Sequence, residues 1–141
     1  MLGNTGLDNN DGISCYFNVV IQALSHTKEL RNYITNKNEI INNIISKLID
    51  KNAKSINITE LSEKINNTIV FQLCKLLKSL WTYSNNDGIN PISFKKVICN
   101  KNDMFSLNEQ QDSQELLNFI LNSLDNELSY NNDIKLQNIN S

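Results

Sequence analysis

Through most of the chain, apolar residues return at three- and four-residue steps, the period of helices that bury one face. Phe17, Val20, Ile21 and Leu24, then Leu30 and Tyr33, predict a helical stretch over 15–34, with Ser14 as N-cap and an interruption at Ser25-His26-Thr27. Ile40, Ile41, Ile44, Ile45, Leu48 and Ile49 predict a second amphipathic segment, which ends in the polar stretch 50–57. Asn57 and Glu60 stand at capping-box spacing. Ile69, Val70, Leu73, Leu76, Leu77, Leu80 and Trp81 form one broad face over 69–81. A turn-rich loop follows at 84–90, and Pro91 suits the first turn of a short helix through Ile98. Asp112 and Glu115 repeat the capping-box spacing ahead of Leu116, Leu117, Ile120, Leu121 and Leu124, which predicts a last helix to about residue 128. The tail 130–141 is polar and expected to fray. There is no internal repeat and no pair of alternating strands joined by a hairpin turn. The expectation is a mainly α, single-domain chain of five or six helices.

Composition narrows the function classes. A net charge of −2 over 141 residues, with lysines scattered among asparagines, offers no basic stripe for nucleic acid and no attraction to a membrane surface. No apolar run approaches the roughly 20 residues of a membrane span. The three cysteines, Cys15, Cys74 and Cys99, are odd in number and widely spaced, which argues against a disulfide framework or a structural zinc site. Neither a metal nor a cofactor is expected. With no signal-like N-terminus, a reduced intracellular location, cytoplasmic or nuclear, is expected.

Cys15 is where chemistry enters. It follows a loop carrying three of the four glycines and opens a helical pattern. A helix N-terminus places partial positive charge and free N–H groups near the sulfur, which favours the thiolate and supplies donors for an oxyanion. Position alone also fits an ordinary buried cysteine. Cys74 and Cys99 lie in apolar helical patterns and read as core residues.

The run Gly6-Leu7-Asp8-Asn9-Asn10-Asp11-Gly12-Ile13-Ser14-Cys15-Tyr16-Phe17-Asn18, with Ile21-Gln22 and Leu24, resembles the cysteine box of the ubiquitin-specific proteases. Leu30-Arg31 and Tyr33 resemble its continuation. Phe105 and then Gln110-Gln111-Asp112-Ser113-Gln114-Glu115-Leu116-Leu117 are similar to the family's second block. The two blocks stand in the family's order, and the resemblance covers nearly the whole chain but only the first part of the family's domain.

The resemblance implies a papain-like peptidase core for which residues 1–129 supply the helical thumb, with 130–141 a polar tail or truncated continuation. It implies a deubiquitinase that hydrolyses the bond after ubiquitin's C-terminal glycine, with Cys15 as nucleophile. Asn10, or Asn9 because the box is one residue longer here, would hold the oxyanion. Gln111, Asp112 and Glu115 would line the channel for ubiquitin's basic tail, a role Asp112 and Glu115 can combine with capping their own helix. Asn18 and Gln22 match family positions but read as residues that fix the helix against its neighbours. The implied partners are ubiquitin or a ubiquitinated protein, and the remaining half of the catalytic domain. The only histidine, His26, is 11 residues past Cys15, about 16 Å along a helix axis and beyond hydrogen-bond reach. The family's Gly-His-Tyr block is absent. The chain is therefore expected to be incomplete and inactive alone, or else a catalytically inactive remnant that binds ubiquitin or another protein.

Overall fold

The computed structural model describes residues 6–8, 15–48, 57–82 and 88–128. Within them the chain forms seven helices: α1 (Cys15–His26), α2 (Lys28–Ile34), α3 (Lys37–Leu48), α4 (Ile58–Asn66), α5 (Ile69–Thr82), α6 (Ile92–Lys101) and α7 (Ser113–Leu128). The fold is mainly helical, as the periodicity requires. None of these helices is long and apolar enough to cross a membrane.

The apolar stripes meet on α5. Its Ile69, Val70, Leu73 and Leu77 are fully buried, and it packs against α2, α3, α4, α6 and α7. On α1 the buried residues are Tyr16, Phe17, Val20, Ile21, Leu24 and Ser25, a two-wide stripe repeating every four residues, and this stripe lies against α7. α7 answers with a narrower line of Leu116, Ile120 and Leu124, leaving Leu121 44% exposed. α3 buries Ile40 and Ile44.

The expected interruption and one further helix have local causes. The stretch 15–34 breaks into two helices at Thr27, whose extended backbone ends the first ladder while its hydroxyl donates to the Ala23 carbonyl. The break is pinned to α5: Trp81 Nε1 donates to Ser25 Oγ at 2.7 Å, and the Arg31 guanidinium lies 3.7 Å from the Trp81 ring centroid. The further helix is α4, which with the split of 15–34 brings the count among the described residues to seven rather than five or six. Asn57 caps it through Thr59 N at 3.1 Å, but the helix buries no residue completely, and its first residue, Ile58, is 85% exposed. Pro91 sits one residue before α6, where the side chain of Asn90 accepts from Ile92 N at 3.0 Å.

The start of α5 depends on a distant carboxylate. Glu127, near the end of α7, accepts from Ile69 N at 3.0 Å and from Val70 N at 2.8 Å, serving two of the donors that a helix N-terminus leaves unpaired. Glu127→Ala strands both in a partly buried setting, so a loss of about 2–4 kcal/mol is expected in urea unfolding, against less than about 0.5 kcal/mol for exposed Asp125→Ala on the same helix.

Candidate active site

Cys15 is the first residue of α1, and it is exposed. Its ring-bearing neighbours Tyr16 and Phe17 turn inward, which seats the helix end firmly and leaves the sulfur outward. Cys74 is buried, with its thiol donating to the Ile34 carbonyl at 2.9 Å. Cys99 is half-buried, and burial pushes its thiol above the usual range despite the nearby Lys95 ammonium. Of the three cysteines, only Cys15 stands exposed at a helix start.

The chain before Cys15 is tied down at Leu7 and Asp8. Leu7 pairs with Ile89 in an isolated parallel bridge, in which Asp8 N donates to Ile89 O and Ile89 N to Gly6 O, both at 2.9 Å. Asn18, one turn into α1, donates from Nδ2 to Asp8 O at 3.1 Å. The bridge needs Gly88. Its φ of +82° is one that side-chain-bearing residues rarely adopt, and a Cβ there would stand 3.3 Å from Gly6 O. Asn9 and Asn10, the two expected oxyanion residues, lie outside the described residues, as does the expected cap Ser14.

From the other side comes the connection between α6 and α7. Phe105 anchors it in the core beside Phe119, with ring centroids 5.5 Å apart. Tyr16 OH donates to Ser106 O at 2.9 Å. The segment then delivers Gln110 to Cys15, with Oε1 3.2 Å and Nε2 3.0 Å from Sγ. Asp112 immediately precedes α7 and accepts from Gln114 N at 2.7 Å, so its role as a cap is seen directly. Gln111 is half-buried and Glu115 exposed on the first turn of α7. The structure therefore brings together Cys15 and the segment carrying Gln111 and Asp112, but the residue that touches the sulfur is Gln110. Reading by residue type missed it because two adjacent glutamines are chemically identical. The single glycine beyond residue 12, Gly88, was the sequence clue to the bridge between Leu7 and Ile89.

His26 is at the far end of α1 from Cys15. It is exposed, its Nδ1 lies 2.9 Å from Gln22 O, and its ring faces Trp81 at 5.7 Å. It cannot serve as a base for Cys15. Among the described residues, no three His, Cys, Asp or Glu side chains cluster closely enough to hold a metal ion.

The bond from Tyr16 to Ser106 is sensitive to alkali. Burial first, and then the neighbouring Cys99, push its phenol from 10.0 up to about 12. Below pH 10 the phenol is neutral in both folded and unfolded chains, and its bond to Ser106 contributes fully. Between 10 and about 12 the unfolded chain gives up this proton first, so the contribution of Tyr16 to stability is expected to fall across that window. The stability advantage of the wild type over Tyr16→Phe in urea unfolding should accordingly shrink from about pH 9 to about pH 11.

The arrangement is an exposed thiol at a helix start, with an amide side chain against the sulfur and anchored chain segments on both sides. Comparison with known proteins gives a consistent result. The family model for ubiquitin carboxyl-terminal hydrolase matches residues 5–141. Ubiquitin carboxyl-terminal hydrolase 2 of Bos taurus is 31% identical over 120 residues, which is 85% of this chain and 17% of that protein. The Rattus norvegicus protein of the same name is 34% identical, with the same coverage. A probable ubiquitin carboxyl-terminal hydrolase of Acanthamoeba polyphaga mimivirus is 31% identical over 96% of this chain and 35% of its own length.

Proposed function

Since the chain belongs to the ubiquitin carboxyl-terminal hydrolase family, we propose that it is the nucleophile-bearing, helical part of a thiol-dependent deubiquitinase. The observation that carries this reading is Cys15 itself: exposed, first in α1, and in contact with the second motif segment through Gln110. The chain spans 17% of the length of the first mammalian relatives it matches, so the activity of those whole proteins comes to it only as part of this proposal.

The Cys15 thiolate attacks the carbonyl carbon of ubiquitin's C-terminal glycine. The oxyanion that forms is held by the amide of Asn10 or Asn9 and by the N–H groups at the start of α1. Collapse breaks the C–N bond, the amine leaves with a proton from a general acid, and a thioester remains for water to resolve. Gln111, Asp112 and Glu115 flank the approach, where the carboxylates pair with the basic residues of ubiquitin's tail. No cofactor enters this chemistry. The partners are ubiquitin or ubiquitinated proteins in a reduced compartment, cytoplasmic or nuclear. Residues 1–129 act as the thumb, with 130–141 continuing from it.

His26 is too far along α1 to take the proton, so turnover needs a base from outside these 141 residues, either from the rest of a catalytic domain or from a partner. The same geometry favours a second reading, a non-cleaving ubiquitin-binding remnant. Ubiquitin bearing a C-terminal thiol-reactive electrophile separates the two. A mass increase of one ubiquitin on Cys15 supports the protease reading. Ubiquitin binding without an adduct supports the remnant, and neither binding nor adduct refutes both.

A further inference from the structure

Resting on the reading of Cys15 as nucleophile, we infer that Gln110 is a second functional side chain of the site, the hydrogen-bond donor that holds the Cys15 thiolate. The two ends of its amide lie 3.2 Å (Oε1) and 3.0 Å (Nε2) from the sulfur. A carboxamide offers an acceptor at one end and two donors at the other. In the thiol form, the S–H donates to Oε1. In the thiolate, the proton is gone and Nε2–H donates to the sulfur. Donation to a charged acceptor is roughly twice as strong as donation between neutral groups. Gln110 can therefore serve the sulfur in either form, with both ends of its amide already within reach.

The support for Gln110 is built into the fold. Cys15 and Tyr16 are consecutive, and both bond the same connection: Tyr16 to Ser106 and Cys15 to Gln110. Within that connection, Asn108 N donates to Ser106 Oγ at 3.1 Å and Asp112 closes the end at α7. The segment is thus held in register with the nucleophile from both ends, over a separation of 95 residues.

The test is alkylation of the 141-residue chain by iodoacetamide at neutral pH, read peptide by peptide by mass spectrometry, for wild type, Gln110→Ala and Gln110→Glu. Gln110→Ala removes the donor and should slow modification of Cys15 about three- to tenfold, the scale of one ordinary net hydrogen bond at an exposed site. Gln110→Glu has the same shape but only acceptors when ionised, and it should be slower still. The half-buried Cys99 serves as internal reference: its rate should not change, whereas general loosening of the fold would raise it. Alkylation of Cys15 in Gln110→Ala at or above the wild-type rate would overturn the inference and leave Gln110 as a cover over the sulfur. The same three proteins are then given the ubiquitin electrophile. The alkylation order without ubiquitin capture by the wild type upholds Gln110 and removes the protease reading. Capture without the order does the reverse.

Discussion

Cys15→Ala is expected to abolish covalent capture of electrophile-bearing ubiquitin while leaving the fold intact. Removing a nucleophile from a catalytic unit costs on the order of a millionfold in rate in well-studied hydrolases, so the adduct should fall to background at any practical incubation time. The fold should survive because the sulfur is exposed and its hydrogen bonds run to the side chain of Gln110, which is itself exposed. An exposed substitution of this kind shifts stability by less than about 0.5 kcal/mol, so the urea midpoint serves as the control. An adduct that persisted in Cys15→Ala and mapped to Cys74 or Cys99 would remove Cys15 from the proposed mechanism. Cys15→Ser is the sharper companion. It keeps the shape and the contact with Gln110 but presents a hydroxyl, which stays protonated at neutral pH, and it should also fail to form the adduct.

The largest stability effect is expected two residues further on. Phe17 is 1% exposed, its ring sits 4.5 Å from that of Tyr16, and the buried Lys95 ammonium lies 5.8 Å from its centroid. Phe17→Ala empties a ring-sized volume between α1 and its neighbours and takes away the face over which Lys95 lies. A loss of about 3–5 kcal/mol is expected, a large fraction of the 5–15 kcal/mol that holds a typical domain together. Val19, on the same helix but 61% exposed, is the contrast, and Val19→Ala should stay within about 0.5 kcal/mol of wild type. Equal urea midpoints for the two variants would mean that the inward face of α1 is not the seat of the nucleophile. If Phe17 does hold that seat, ubiquitin capture should weaken in Phe17→Ala even where the chain remains folded, because Cys15 and Tyr16 share the first turn with Phe17.

The two effects divide α1 between its outward and inward faces, and that division could be read in advance. Phe17, Val20, Ile21 and Leu24 repeat with the helical period, and the structure buries all four. The broad face over 69–81 became the central helix α5, and the Asp112 cap appears with its bond to Gln114 N. Helix α4 was harder to read, because a helix that buries nothing completely carries a thin apolar stripe, and its ion pair of Glu60 with Lys64 is exposed and worth little. At the site, Cys15 was legible because its chemistry and its position at a helix start are both local. Gln110 was not. It differs from Gln111 only in the direction its side chain takes from an irregular segment, and nothing in the order of residues reports that direction.

The sequence by itself determined the helical class, the faces that turn inward and the cysteine that opens α1, because periodicity, capping and residue chemistry act within a few residues of one another. Tertiary structure alone decided which distant groups meet: Gln110 at the Cys15 sulfur, Tyr16 at Ser106, Ile89 beside Leu7, and Glu127 at the first turn of α5. Those pairings depend on how each helix is rotated about its axis and where the irregular connections run. Both are set only when all the buried faces pack against one another at once.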